Sequence, residues 1–176
     1  MDTSKIQAVI DDFRANYQKY KSFSEADVET QLVEPLFMAL GWERKDFSKQ
    51  ATAHRAGKLG RADYAFRIED RIVFFLEVKR IGVSLDKEAD KQVVSYALSK
   101  RVPFAISTNF EELKIFCVES QDRSLFRRFT KPEDYSENSQ DLQLLSKESF
   151  KTGTTLEKAE ADGTQCRYST HGVLCG

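Results

Sequence analysis

Residues 60–79 read GRADYAFRIEDRIVFFLEVK, and they decide the fold class of this 176-residue chain. The stretch is rich in aromatic and β-branched residues, and its two halves flank the polar pair Glu69–Asp70. This pattern predicts a β-hairpin whose strands cover 63–69 and 71–79 and whose turn lies at that pair. The second half has an unbroken apolar run from Ile72 to Leu76, which is typical of a central strand buried on both faces.

Helical patterns lie on both sides of this hairpin. Upstream, apolar residues recur at helical spacing over Ile6–Tyr20 and over Val28–Leu40. The second run follows a start resembling a capping box at Ser24, and Pro35 within it predicts a kink or an interruption. Downstream, a polar helix is expected from about Asp86 to Lys100.

Two further strands are predicted after that helix, at Val102–Thr108 and Leu113–Val118. Together with the hairpin they indicate a mixed α/β domain, with helices on both sides of a small sheet. The intervening residues 43–61 are polar and contain two glycines, so they are predicted to form a loop.

The C-terminal part of the chain is more polar. From Lys131 onward we expect one short helix, at Asp141–Phe150. The stretch Thr152–Gly176 is poor in apolar residues and lacks periodicity, which predicts a weakly ordered tail. We therefore expect a single domain over residues 1–150, followed over 151–176 by a polar tail or a truncated connector.

Charge and hydropathy exclude several classes of protein. The chain has 27 Lys and Arg against 28 Asp and Glu, a net charge of −1. This balance excludes a strongly basic nucleic-acid coat protein but not a local basic patch. No apolar run approaches the ~18–20 residues that cross a bilayer, and the first residues do not resemble a signal peptide. We therefore expect a cytoplasmic location, no membrane partner and, with three widely spaced cysteines, no disulfide framework.

The same hairpin contains the residues with the clearest chemical use. Residues two apart in a strand point to one face, so Glu77 and Lys79 project together, and the hairpin places Asp63 within about one register step of Glu77. Two carboxylates can hold a divalent cation such as Mg²⁺, with the backbone carbonyl of Val78 as an additional ligand. A lysine there can position a water and neutralise charge on a phosphate under attack. The alternative is that Glu77 and Lys79 form a solvated ion pair.

Basic residues around this position are candidates for phosphate contacts. The loop Ala56–Arg61 is basic and contains two glycines, which suits approach to a phosphate backbone. Contacts of this kind position DNA without reading its sequence. The candidates are Arg55, Lys58, Arg61 and Arg80. The alternative for each of them is an ordinary solvated cation.

The string GRADYAF…FFLEVKR resembles the core of the PD-(D/E)xK nucleases. More closely, it resembles the N-terminal nuclease domain of type IIG restriction enzymes, which are fused endonuclease–methyltransferases, and that of type I restriction R subunits. The resemblance covers most of residues 17–150. Its motifs follow the family's order: an opening helix that ends near Trp42, an acidic motif at Gly60–Asp63, a catalytic motif at Glu77–Lys79, a Gln-x-x-x-Tyr element at Gln92–Tyr96, and a strand and turn at Val102–Phe110.

This resemblance implies a restriction-endonuclease-like fold, a mixed β-sheet flanked by helices, with a Mg²⁺ site in which Mn²⁺ substitutes. By position, the implied site residues are the metal ligands Asp63 and Glu77, the catalytic lysine Lys79, and Gln92, which touches DNA or orients a metal-bound water. Glu25 would be the helix carboxylate that completes the site. Glu29, one turn later on nearly the same face, is the rival for that role.

The sequence departs from these families outside the nuclease-like region. It has no Gly-rich cofactor loop after a strand, no Asn/Asp-Pro-Pro-Tyr/Phe string and no Gly-x4-Gly-Lys-Ser/Thr loop. The resemblance therefore implies the endonuclease domain of a restriction–modification system, which hydrolyses phosphodiester bonds by metal-activated water while sequence specificity is supplied elsewhere. The alternative is a catalytically inactive remnant that binds DNA or a partner protein.

The implied partners follow from that function. Double-stranded DNA would be the substrate. A methyltransferase or target-recognition subunit acting in trans would supply the missing specificity. Because one active site cuts one strand and a duplex break needs two cuts, a homodimer is also compatible with this interpretation.

Overall fold

The computed structural model describes residues 1–49, 62–85, 87–118 and 123–164, which form an α/β structure with one six-stranded mixed sheet flanked by helices. The strands are β1 (Phe47–Lys49), β2 (Tyr64–Ile68), β3 (Arg71–Val78), β4 (Phe104–Thr108), β5 (Leu113–Val118) and β6 (Arg123–Phe129). The α-helices are α1 (Thr3–Ala15), α2 (Tyr17–Lys21), α3 (Glu25–Val28), α4 (Glu34–Ala39), α5 (Lys87–Ser99), α6 (Asp134–Glu137), α7 (Ser139–Gln143), α8 (Lys147–Thr152) and α9 (Thr154–Ala161). This agrees with the α/β class predicted from the sequence.

The sheet is mixed because β3 and β4 run parallel while the other described neighbours are antiparallel. The strand order follows the chain order. Parallel neighbours need a crossover connection, and α5 provides it. Helix α5 therefore lies on one face of the sheet, while side chains from α1, α4 and α9 join the core on the opposite face.

The hairpin forms as predicted. Strand β2 pairs with β3 in a register that places Tyr64 opposite Leu76, and the turn lies at Glu69 and Asp70. Glu69 has a φ of +55°, a left-handed conformation that suits a tight turn. A bulge after Phe66 shifts the register inside the hairpin. This shift decides the pairing at the open end of the hairpin. Continuing the register from Tyr64 and Leu76 places Asp63 opposite Glu77, whereas the register next to the turn would place Asp63 opposite Leu76.

The two faces of the sheet are packed differently. On the face opposite α5, Trp42, Phe66 and Phe74 form an aromatic cluster with ring centroids 4.4–5.4 Å apart. The Trp42 indole Nε1 donates to the Leu145 carbonyl at 2.8 Å, so its polar atom is satisfied. The α5 face has a smaller apolar cluster that includes Val93. The C-terminal end of β3 on that face is therefore left to polar side chains.

The second predicted helix is divided into three parts. It begins with a capping box between Ser24 and Asp27, as its sequence suggested, and ends before Gly41, whose φ is +93°. Between α3 and α4 the chain forms a π-helical segment at Glu29–Val33. Pro35 falls in the first turn of α4, where its missing N–H costs little. The interruption expected at Pro35 is therefore a π-helical segment just before it.

Other expectations need correction. The expected loop at residues 43–61 includes a 3₁₀ turn (Arg44–Asp46) and β1, which pairs with β2, while the rest of it lies outside the described residues. Strand β6 was not predicted, because its alternation is obscured by three arginines. The single helix expected at Asp141–Phe150 is replaced by parts of the separate helices α7 and α8.

Two predictions about the C-terminal region and the cysteines are also wrong in part. Thr154–Ala161 form α9, whose Thr155 and Ala159 are buried, so this part of the expected tail is ordered against the core. Cys117 in β5 is buried and disulfide-bonded, which the expectation of no disulfide framework did not foresee, and the other cysteines lie outside the described residues. In the described part of the chain, no helix has the length and apolar character needed to cross a membrane.

Candidate functional site

A row of polar residues crosses the α5 face of the sheet at one end. Glu77 on β3 pairs with Ser107 on β4, and Ser107 pairs with Lys114 on β5. Asp63 continues the row on the other side, one residue before Tyr64. Because strand residues alternate between faces, Glu77 shares its face with Phe75, which packs in the α5 cluster. The sheet register thus brings Asp63 and Glu77, the site pair, side by side.

Glu77 is the most buried carboxylate of this row, with 1% of its surface exposed. Its Oε1 atom accepts hydrogen bonds from Lys79 Nζ at 2.6 Å and from Gln92 Nε2 at 3.1 Å. Its Oε2 atom is buried and has no hydrogen-bond partner among the residues that the structure describes. Burial, followed by the charge of Asp63, raises the pKa of Glu77 to about 7. Within the described structure, donors therefore stabilise the negative charge of the Glu77 carboxylate at Oε1 and not at Oε2.

Asp63 closes the open end of the hairpin. Its Oδ2 atom accepts a hydrogen bond from the backbone N–H of Val78 at 2.7 Å, which ties the start of β2 to the end of β3. Burial raises the pKa of Asp63 to about 6, although the Val78 hydrogen bond acts to lower it. The charge of Glu29 adds to the increase. Both members of the site pair thus titrate nearer to neutrality than free carboxylates.

Lys79 is held at both its backbone and its side chain. Its N–H donates to the Thr108 carbonyl at 2.8 Å, and its Nζ lies 2.6 Å from Glu77 Oε1 and 4.0 Å from Glu25 Oε1. Burial acts to lower the pKa of Lys79, but the hydrogen bond and charge of Glu77, with the charge of Glu25, raise it overall. The ammonium group is therefore protonated at neutral pH.

Glu25 and Glu29 lie in different environments. Glu25 is exposed at the first position of α3, near Lys79. Glu29 is buried and contacts Lys49 Nζ at 2.5 Å and the Tyr64 hydroxyl at 3.2 Å. The structure therefore brings Glu25 into contact range of the predicted lysine, whereas Glu29 is engaged with a different cation.

Sequence reasoning missed the group to which Glu29 belongs. The Tyr64 hydroxyl also lies 2.7 Å from Glu34 Oε1, and Arg44 pairs with the second oxygen of Glu34. In an α-helix, residues five apart lie about 140° apart around the axis. The wider π-helical turn that begins at Glu29 instead brings the side chains of Glu29 and Glu34 to the same hydroxyl, that of Tyr64. We call Glu29 and Glu34 the closed pair. No sequence signal predicts that segment, so none could have found the pair.

The donor set at the site pair suits a hard cation. Among the described residues, no three His, Cys, Asp or Glu side chains are grouped as metal ligands. Asp63 and Glu77, with the main-chain carbonyl predicted at Val78, number only two such side chains. Mg²⁺ is commonly bound by one or two carboxylates together with water and phosphate oxygens. The unpartnered Oε2 atom of Glu77 is the observation that fits such an ion.

The predicted phosphate contacts are only partly described. Arg80 is exposed and follows Lys79 directly, at the edge of the site. Arg55, Lys58 and Arg61 lie outside the described residues. Of the four candidates, Arg80 is thus the one that lies among the described residues.

Comparison with known proteins gives one distant relation. The chain is similar to the type II restriction enzyme and methyltransferase RM.Eco57I of Escherichia coli, with 27% identity over 133 residues. The match covers 66% of this chain and 13% of that protein, so the chain spans a small part of its length. No protein-family model matches the chain, and no solved structure matches it.

Proposed function

We propose that this chain is a metal-dependent DNA endonuclease domain of a restriction–modification system, with a PD-(D/E)xK site in a restriction-endonuclease-like fold. The observation that carries the proposal is the buried Oε2 atom of Glu77, which has no hydrogen-bond partner among the described residues and belongs to a carboxylate beside the half-buried Asp63. A cation would supply the positive charge that this pair lacks. The distant similarity to a restriction enzyme and methyltransferase supports the same class of function.

Asp63 and Glu77 would hold the cation, with the Val78 carbonyl as a further ligand. These oxygen donors suit Mg²⁺, for which Mn²⁺ would substitute. When bound, the cation supplies charge that stabilises a phosphate under attack and acidifies the attacking water. Because burial raises the pKa of both carboxyls, protons compete with the cation, and cation binding should strengthen from pH 6 to pH 8.

The remaining residues would act on the carboxylate and on the phosphate. Lys79 and Gln92 both bind Oε1 of Glu77, which orients the carboxylate and leaves Oε2 available. The protonated Lys79 would also neutralise charge that develops on the phosphate. Glu25 would hold the lysine from the helix side, and Arg80 would contact a phosphate of the DNA backbone.

Partners and location complete this proposal. Double-stranded DNA is the substrate, and sequence specificity comes from a methyltransferase or target-recognition subunit acting in trans. A homodimer would provide the second cut of a duplex break. The system would operate in the cytoplasm, where the DNA of a bacterial cell is found.

The test is cleavage of supercoiled plasmid by the purified chain with Mg²⁺ or Mn²⁺. We expect nicked or linear plasmid from the wild type, and loss of product with EDTA or in Lys79→Ala. Lys147→Ala is the matched control, because Lys147 pairs with Asp46 and Glu43 away from the site pair. It should cleave like the wild type.

Two outcomes would contradict the proposal. Undiminished cleavage by Lys79→Ala would reject the site. No cleavage by folded wild type with either metal would reject the nuclease and favour a remnant that binds DNA or a partner. Calorimetry of Mn²⁺ binding, with Asp63→Ala as control, would then show whether such a remnant has kept the cation site.

A further inference from the structure

A buried ion pair lies next to the site pair, and the proposed chemistry does not use it. Asp90, in the first turn of α5, has one oxygen 2.7 Å from Ser107 Oγ and the other 3.1 Å from Lys114 Nζ. The side chains of Asp90 and Lys114 are only 9% and 12% exposed. Buried ion pairs are costly to desolvate and are often no more stabilising than apolar residues of the same size. Stability alone is therefore a poor account of this pair.

The pair fixes where α5 begins. Lys114 Nζ also donates to the Leu85 carbonyl at 2.7 Å, so one ammonium group binds the backbone just before the helix and a carboxylate in its first turn. Ser107 adds a contact from the neighbouring strand. Strands β4 and β5 thus hold the start of α5 by three polar contacts with defined geometry.

These contacts lie in register with the site. Ser107 is the direct neighbour of Glu77 across β3 and β4, and Lys114 is the neighbour of Ser107. Gln92, two residues after Asp90, donates to Glu77 Oε1 at 3.1 Å. The rest of α5 packs through apolar residues such as Val93, and apolar contacts are not directional. The polar contacts at Asp90 therefore determine where the Gln92 amide stands.

We infer that Asp90, Ser107 and Lys114 are positioning residues that set the start of α5 so that Gln92 holds Oε1 of Glu77. A helix that slides by a fraction of a turn would take the amide out of hydrogen-bond range. The carboxylate would then lose one of the two donors that orient it. The consequence for cleavage rests on the proposed function, whereas the placement of Gln92 can be measured without it.

The kinetic test is a double-mutant cycle in the full chain. We expect Asp90→Asn to lower kcat for plasmid nicking about tenfold and to leave KM for DNA within about twofold, because small misplacements act on the chemical step. In a Gln92→Ala background, Asp90→Asn should have little further effect, since it acts through Gln92. Independent, multiplicative effects of the two changes would overturn the inference.

The matched control is Asp46→Asn. Asp46 is also a buried aspartate paired with a lysine, its carboxylate lying 2.7 Å from Lys147 Nζ, but it lies outside the polar row. Asp46→Asn should lose about as much stability as Asp90→Asn and should keep the wild-type kcat. Ser107→Ala is the milder variant, because it leaves the Asp90–Lys114 pair intact, and it keeps the test decisive if Asp90→Asn does not fold.

A second readout needs no activity. In the metal-free chain, NMR would follow the side-chain amide resonance of Gln92, assigned by its loss in Gln92→Ala. We expect this resonance to move in Ser107→Ala and to stay in place in Asp46→Asn. If the resonance moves but the wild type does not cleave, the proposed function fails and the positioning role stands. If the wild type cleaves but the resonance does not move, the positioning role fails alone.

Discussion

Two pairs of acidic side chains approach β2 from opposite faces of the sheet, and they differ in their supply of positive charge. The closed pair has Lys49 on Glu29 and Arg44 on Glu34, with the Tyr64 hydroxyl between them. Burial acts to raise the pKa of Glu34, but the hydrogen bonds from Arg44 and Tyr64 lower it overall. At the site pair, Lys79 Nζ binds Oε1 of Glu77, Oε2 has no partner among the described residues, and burial raises the pKa of both carboxyls.

This comparison separates burial from function. Both pairs contain buried carboxylates, although Asp63 is only half-buried, so burial alone does not identify the pair with a chemical role. The closed pair satisfies its own charges and holds the helical layer to β1 and β2. Within the described part of the chain, the site pair leaves a buried oxygen atom without a partner, which is stable only at the cost of a raised pKa or with an added cation.

The largest expected contrast is in catalysis. Glu77→Gln should reduce plasmid nicking by about 10²–10³-fold, because it removes the carboxylate charge that holds the cation, and losing one such electrostatic contribution commonly costs ~10²–10³-fold. Glu29→Gln should change the initial nicking rate by no more than a few fold. Equal losses in the two variants would mean that the closed pair takes part in the reaction.

The next contrast is in pH dependence. In the metal-free protein, Glu77 keeps a proton up to about pH 7 when folded and loses it near pH 4.5 when unfolded. The folded state thus binds more protons between these values, so the free energy of unfolding should fall as pH rises through this range. A decrease of up to ~3 kcal/mol is expected from such a shift.

Urea unfolding at pH 5 and pH 8 measures this decrease. Glu77→Gln should flatten the profile, whereas Asp46→Asn, remote from the site, should not. If the free energy of unfolding of the wild type instead rises between pH 5 and pH 8, the ionised carboxylates of the site pair are stabilised in the folded state by positive charge that is already present.

A smaller contrast concerns the donor of the closed pair. Tyr64→Phe removes the hydroxyl that faces Glu29 and Glu34, so we expect a loss of ~1–2 kcal/mol, typical of a buried acceptor deprived of its donor. The same measurement on Tyr17→Phe, whose hydroxyl binds Glu111 in a less buried position, should show a smaller loss. If the two variants lose equal free energy of unfolding, the Tyr64 hydroxyl stabilises the closed pair no more than an ordinary half-buried hydroxyl would.

The smallest expected effect is stabilisation by the cation. At a Mg²⁺ concentration ten times the dissociation constant, binding adds ~1.4 kcal/mol to the free energy of unfolding. Thermal unfolding at pH 8 should show this increase for the wild type and not for Asp63→Asn. An increase of equal size in Asp63→Asn would assign Mg²⁺ binding to another part of the molecule.

Much of the candidate site could be read from local sequence. The aromatic and β-branched runs, the polar turn and the two-residue alternation determine the hairpin, and the hairpin places Asp63 within about one register step of Glu77. The bulge after Phe66 decides which residue Asp63 faces. The contact of Gln92 with Glu77 agrees with the order of motifs, although its distance could not be predicted. Strand β6 was missed because its arginines mask the alternation, and α9 was missed because its few apolar residues become buried only against the folded core.

The sequence by itself determined the α/β class, the hairpin, and the placement of Glu77 and Lys79 on one strand face, because these depend on residues close along the chain. The tertiary structure alone decided that Glu29 belongs to a closed pair, that Oε2 of Glu77 has no partner among the described residues, and that Asp90 contacts Lys114. Those features depend on a π-helical segment and on contacts across strands and helices. Their free energies come from burial and charge pairing between residues distant in sequence, which no local pattern encodes.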